Sequence, residues 1–102
     1  MSDYPPPLGR RLEQYTLKRP DEVLLVSIEV DGQPDEIAVF KGFSSSLMNP
    51  TAFDPDVPVV PDRAEILSID RLQSPYNPND PRYLQKGMAW GEFQSLLSSL
   101  GL

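Results

Sequence analysis

Glu22-Val23-Leu24-Leu25-Val26-Ser27-Ile28-Glu29-Val30, then Asp31-Gly32-Gln33-Pro34-Asp35, then Glu36-Ile37-Ala38-Val39-Phe40-Lys41-Gly42-Phe43: the reading of this stretch decides the fold. Two β-rich runs parted by a polar break containing Asp-Gly read as an antiparallel hairpin, because Gly32 takes the positive φ of a tight turn at no steric cost. Leu24, Val26, Ile28 and Val30 share one face of the first run and form its core side. Val23 and Leu25 open the other face, which Ser27 and Glu29 continue. In the second run Ile37 and Val39 oppose Ala38 and Phe40, so both of its faces look covered, which hints at a curled sheet or small barrel. A hairpin buries little by itself, so the rest of the chain must add a third strand and helices over its apolar face.

The whole sequence has 102 residues, the size of one domain and enough to bury a core without metal or disulfide staples. It contains neither cysteine nor histidine. Disulfides, thiolate nucleophiles, Ser-His-Asp and Cys-His catalysis and the common zinc-hydrolase ligand sets are thereby excluded, since each needs thiolate or imidazole. The net charge of −6 works against nucleic-acid binding, which depends on neutralising phosphates. The charge is uneven: residues 1–20 hold Arg10, Arg11, Lys18 and Arg19 against Asp3 and Glu13, a balance of +2, so residues 21–102 carry −8. A basic segment on an acidic body can touch an anionic surface, although a solvated helix face is the plainer reading. No apolar run follows the start, and none reaches membrane-spanning length. The expectation is a cytoplasmic protein with no integral membrane segment and no nucleic-acid partner.

Residues 1–7, with Tyr4-Pro5-Pro6-Pro7, read as a flexible proline-rich arm, and residues 8–102 as a single domain. From Leu8 to Leu17, Leu8, Leu12 and Tyr15 fall on one helical face, which should lie against the hairpin with its arginines outward; Pro20 ends it. Seven of the twelve prolines lie between 50 and 81, so Ser44 to Pro61 reads as a long stiffened loop whose apolar residues fold back over the sheet. Ala64 to Arg71 is a third strand, with Ala64 and Ile66 on one face and Leu67 and Ile69 on the other. Asp80-Pro81 has the form of a helix start, giving a turn or two through Arg82 to Lys86 that Gly87 ends. Trp90, Phe93, Leu97 and Leu100 make the stripe of a closing helix that ends at Gly101.

The segments Phe40-Lys41-Gly42-Phe43-Ser44-Ser45-Ser46-Leu47, Pro50-Thr51, Asp54-Pro55-Asp56-Val57-Pro58, Ile69-Asp70-Arg71, Ser74-Pro75-Tyr76-Asn77-Pro78 and Gly87-Met88-Ala89-Trp90 together resemble a family of small uncharacterised proteins of cyanobacteria and plant chloroplasts. The resemblance runs over roughly residues 22 to 95. It brings no catalytic residues and implies only a setting, the cytosol or stroma of an oxygenic phototroph. The family pattern often places a hydroxyl residue before the tryptophan. Ala89 stands there in this chain, leaving the last helix without a capping side chain at that position.

Lys41 and the serines 44–46 have the ingredients of a Ser-Lys pair or a phosphate cradle, but not the Walker order, and serines bonded to local backbone at a strand end are the plainer reading. Asp54, Asp56 and Asp62 carry the carboxylates a hard cation needs, without EF-hand spacing, and read as turn formers. Asp70-Arg71 suggests an ion pair or a partner contact, and Trp90 a core side chain. The expected fold is α+β: three or four antiparallel strands, with a partly closed barrel as a variant, and a helix at each end of the chain. The expected function is a non-enzymatic protein-binding or assembly module that uses Leu47, Met48 and Phe53, with Arg10 and Arg11 as a second surface. The alternative is a small-molecule or divalent-metal-binding protein with a pocket under residues 44–61. No catalytic residue, metal ligand or cofactor is assigned, and the protein partner is of unknown identity.

Overall fold

Strand β1 (Glu22–Val30) is buried continuously from Glu22 to Val26, as a strand with neighbours on both edges should be. A computed structural model describes residues 8–47, 60–61 and 63–102. Around β1 lie α1 (Leu8–Lys18), β2 (Gln33–Phe40), β3 (Phe43–Ser46), β4 (Glu65–Gln73), β5 (Tyr83–Met88) and α2 (Trp90–Ser99). The strands form one open antiparallel sheet in the order β3-β2-β1-β4-β5. The fold is therefore α+β, with five strands where three or four were expected and with open edges where a barrel was considered.

Both helices pack on one face of this sheet. Leu24, Val26 and Ile28 of β1 meet Ile37 and Val39 of β2, Ile69 of β4 and Met88 of β5, under Leu12 and Tyr15 of α1 and Phe93 and Leu97 of α2. The Tyr15 and Phe93 rings meet edge to face at 4.9 Å and tie the two helices together. Val60 joins this core, so the end of the 44–61 segment does fold back under α1, beside Gly9. The other face carries a small cluster of Val23, Leu25 and Leu72 with Ala38, Phe40 and Tyr76. That cluster explains the two-sided pattern of β2 without any closure of the sheet.

The first turn is tighter than the polar break suggested. Asp31 and Gly32, at φ 52° and 80°, make a two-residue turn that pairs Val30 with Gln33, and Gln33-Pro34-Asp35 belong to β2. Pro34 is tolerated because β3 pairs only residues 37–40 of β2, which leaves Pro34 on a stretch whose partner among the described residues is β1 alone. Lys41 and Gly42 repeat the device at φ 49° and 83°. This second hairpin makes a strand of Phe43–Ser46, where Phe43 was expected to end the second run and Ser44 to open a loop.

Two further corrections fall on β4 and β5. Ser27 pairs with Ser68 and Ile28 with Ile66, so Leu67 is an extra residue, a β-bulge that re-aims the strand. Ile66 and Ile69 thereby both reach the covered core, instead of opposite faces, and Leu67 is left outside. The segment Arg82 to Lys86 is not helical: Tyr83–Met88 forms the edge strand β5. Pairing to β4, through Leu72 with Tyr83, Arg71 with Gln85 and Ile69 with Met88, outweighs the local helix signals of Asp80-Pro81. Gly87, at φ 71°, sits at an irregularity of this pairing, and its N–H donates to Asp70 Oδ1 at 2.7 Å.

At the start of α2 the Glu92 carboxylate accepts the Ala89 N–H at 3.3 Å, the half of a capping box that needs no hydroxyl at position 89. At its end Gly101 N–H bonds to the Ser98 carbonyl and Leu102 N–H to the Leu97 carbonyl. With Gly101 at φ 77°, this is the paired closure of a Schellman cap.

Candidate functional site

Two places bring polar or apolar groups together in ways the strand pattern alone does not require. The first is a chain of side chains between α1 and the sheet, buried at Tyr15 and Glu22 and part-buried at Arg71 and Gln85. The Tyr15 hydroxyl donates to Glu22 Oε1 at 2.7 Å, Arg71 Nε donates to the same oxygen at 2.8 Å, and Arg71 Nη1 donates to Gln85 at 3.1 Å. Tyr15 comes from the apolar face of the helix, Glu22 from the first residue of β1, Arg71 from β4 and Gln85 opposite it on β5. Burial, and then the hydrogen bond to Glu22 and its charge, push the Tyr15 hydroxyl up to about 12. The hydrogen bond to Glu22 likewise pushes the Arg71 guanidinium up.

Chemically this arrangement is a lock. A tyrosine that holds its proton to that height is a donor and no base at neutral pH, and a guanidinium held by a carboxylate is not a proton shuttle. Among the described residues no buried side-chain nitrogen or oxygen lacks a partner, and no three acidic residues gather where they could hold a metal ion. The Asp70-Arg71 pair separates in function: Arg71 enters the lock, while Asp70 secures Gly87.

The second place is β3 and its turn. Two of the serines reach carboxylates of neighbouring elements. Ser44 donates to Glu13 Oε2 of α1 at 2.8 Å and Ser46 to Asp35 of β2 at 2.8 Å, which fixes the strand to the helix and to its neighbour. The alternate residues point to the bare face, and there Phe43 is 79% exposed and Leu47 49% exposed. Leu47 is held where it is by its N–H on the Glu36 carbonyl at 2.8 Å.

The expected binding residues distribute as follows. Leu47 stands at the end of β3. Met48 and Phe53 lie outside the described residues, as do Asp54, Asp56 and Asp62. Arg10 is exposed and pairs with Glu13 at 3.8 Å, so it is linked through Glu13 to Ser44 and β3. Arg11 turns the other way, its guanidinium 5.5 Å from the centre of the Trp90 ring. Trp90 is half-buried against the core, where Phe93 and Leu97 are the fully buried members of its stripe. Sequence reasoning missed Phe43, although Lys41-Gly42 is a turn signal that could have found it. It also missed the Tyr15–Glu22–Arg71 lock, for which no local signal exists.

These features define a class: a small α+β domain with two helices on one face of a five-stranded antiparallel sheet, internally satisfied at its buried polar centre. Residues 9–97 match the family described as Domain of unknown function (DUF7734), and the chain belongs to that family. No curated protein matches the chain, and neither does any solved structure. Among the described residues no helix is long and apolar enough to cross a membrane.

Proposed function

We propose that this protein is a non-enzymatic protein-binding or assembly module of an oxygenic phototroph, acting in the cytosol or stroma. Its binding surface starts at Leu47 and continues through Met48 and Phe53, with Arg10 and Arg11 on α1 as a second surface. Residues 8–102 act as one domain behind the arm at residues 1–7. The observation that carries this reading is the outward set of β3: Phe43 and Leu47 leave large apolar surface in water on the face that neither helix covers, and such side chains contribute most where a partner desolvates them. The lack of histidine and cysteine and the self-satisfied polar centre favour binding over chemistry.

The test is capture from the native extract by the parent and by a Leu47→Ser, Met48→Ser, Phe53→Ser variant, with identification of the captured protein and titration of the purified pair. Loss of these anchors weakens the purified complex by about tenfold or more, at an unchanged melting temperature. A variant that binds the purified partner as well as the parent does refutes the surface. A variant that melts far below the parent places those side chains in the core.

A further inference from the structure

We propose that the corner where α1 ends against the β2–β3 turn docks onto an anionic lipid surface. The turn is pressed onto the helix: Gly42 N–H donates to Thr16 Oγ1 at 2.9 Å, and a Cβ on Gly42 would fall 2.9 Å from Leu17 Cδ2. Two large apolar side chains stand in water at this sheet edge, Leu17 on the helix side at 54% exposure and Phe43 on the bare side at 79%. Three exposed cations adjoin these residues along the chain, Lys18 and Arg19 after Leu17 and Lys41 in the turn before Phe43. Among the described residues the ion pairs are made by Arg10, Arg63, Arg71 and Arg82, and none by these three. Lys41 instead lies 5.2 Å from the centre of the Phe40 ring.

An exposed aromatic and an exposed leucine next in the chain to cations that make no ion pair have the composition of an interfacial anchor, in which apolar groups enter the acyl boundary and cationic groups remain among anionic headgroups. The corner is a turn and a helix end of a few residues. A stable protein complex needs on the order of 1,000 Å² of complementary surface, far more than this corner offers, whereas a lipid surface requires no matching shape. The net charge of −6 does not prevent the contact. The molecule is 40 Å along its longest axis, and charges more than about 8 Å apart in solvent are largely screened at physiological salt. Asp21 is the acid nearest in sequence to the three cations, and Glu13, one helical turn earlier, is already engaged by Arg10 and Ser44.

The experiment is co-flotation of the full chain with vesicles of phosphatidylcholine alone or mixed with phosphatidylglycerol. The parent floats with the mixed vesicles and not with the neutral ones, and added salt releases it. Each cation is worth about fivefold in partitioning on such a surface, so Lys18→Gln with Arg19→Gln lowers it by roughly 25-fold. Phe43→Ser, which changes no charge, lowers it by about tenfold. Arg63→Gln with Arg82→Gln, an equal change in net charge elsewhere, leaves it as in the parent. The proposal is overturned if the parent floats with neither vesicle or equally with both. It is also overturned if the two arginine and lysine pairs act alike, since bulk charge then governs, or if Phe43→Ser binds as the parent does. Binding of a single-stranded oligonucleotide through the same residues, with no vesicle binding, would assign the corner to nucleic acid. The salt titration of the unmodified chain keeps the test independent of how any variant folds.

Discussion

The two faces of the sheet use the same strands to opposite ends. On the covered face twelve residues, drawn from both helices, four strands and Val60, form one buried cluster. On the bare face, among the described residues, Val23, Leu25 and Leu72 form the one buried cluster, and Phe43, Leu47 and Tyr83 stand in water at the margins. The difference teaches that the covered face supplies cohesion while the bare face and its β3 edge remain available for contact. The largest effects should therefore come from the helix side of β1 and the smallest from outward residues of the same sheet.

The most severe test is Ile28→Asp. Ile28 is 1% exposed in the covered core, and an unpaired carboxylate there costs several kcal/mol, enough to unfold a domain of ordinary stability. Loss of the cooperative melt is expected. A native melt near the parent temperature would remove Ile28 from the core.

Neighbouring leucines of β1 compare the faces directly. Leu24→Ala opens a cavity among residues held from two layers and should cost about 3 to 4 kcal/mol, whereas Leu25→Ala, in a three-residue cluster that can collapse or hydrate, should cost about 2. Denaturant unfolding of the two variants measures the difference. Equal costs would mean that the bare face is packed as tightly as the covered one.

The seam between α1 and the sheet has a pH signature. Because the Tyr15 hydroxyl rises from 10.0 to about 12 on folding, the folded state keeps its proton where the unfolded state releases it. The stabilisation is fully present below pH 10 and is lost as pH climbs through 12, amounting to roughly 2 to 3 kcal/mol. Tyr15→Phe removes this contribution, so its stability should fall less steeply than the parent's between those values. Parallel decline of the two proteins would show that Tyr15 is not the group responsible.

Much of this architecture was legible. Periodicity placed α1 through Leu12 and Tyr15, β1 through its alternation and α2 through Phe93 and Leu97, because each repeats an apolar residue at the period of its own structure. β3 was not legible as a strand, since Phe43-Ser44-Ser45-Ser46 lacks apolar alternation and is held by a hairpin turn and by Glu13 and Asp35. β5 carried the wrong local signals: Asp80-Pro81 and Gly87 bracket a helix in form, and only pairing with β4 decides otherwise. Of the candidate site, Leu47 is 49% exposed, on a segment whose apolar residues were expected to fold back over the sheet. The lock joins Glu22 to Arg71 across 49 residues, a distance over which no spacing rule operates.

The smallest predicted effect sharpens the comparison most, because it depends on a single extra residue. Strict alternation along β4 would put Leu67 on the face of Ile69 and inside the covered core. There Leu67→Ser would cost several kcal/mol, as buried leucine truncations do. With the pairing of Ser27 to Ser68 and Ile28 to Ile66, Leu67 is the bulged residue and 50% exposed. A half-exposed side chain at a bulge has little burial to lose, and its replacement by serine should change stability by about 0.5 to 1 kcal/mol. Equilibrium unfolding of Leu67→Ser beside Ile66→Ser separates the two registers. The bulged register makes the isoleucine change the costlier one, and a reversed order would restore the plain alternation and move Ile66 out of the core.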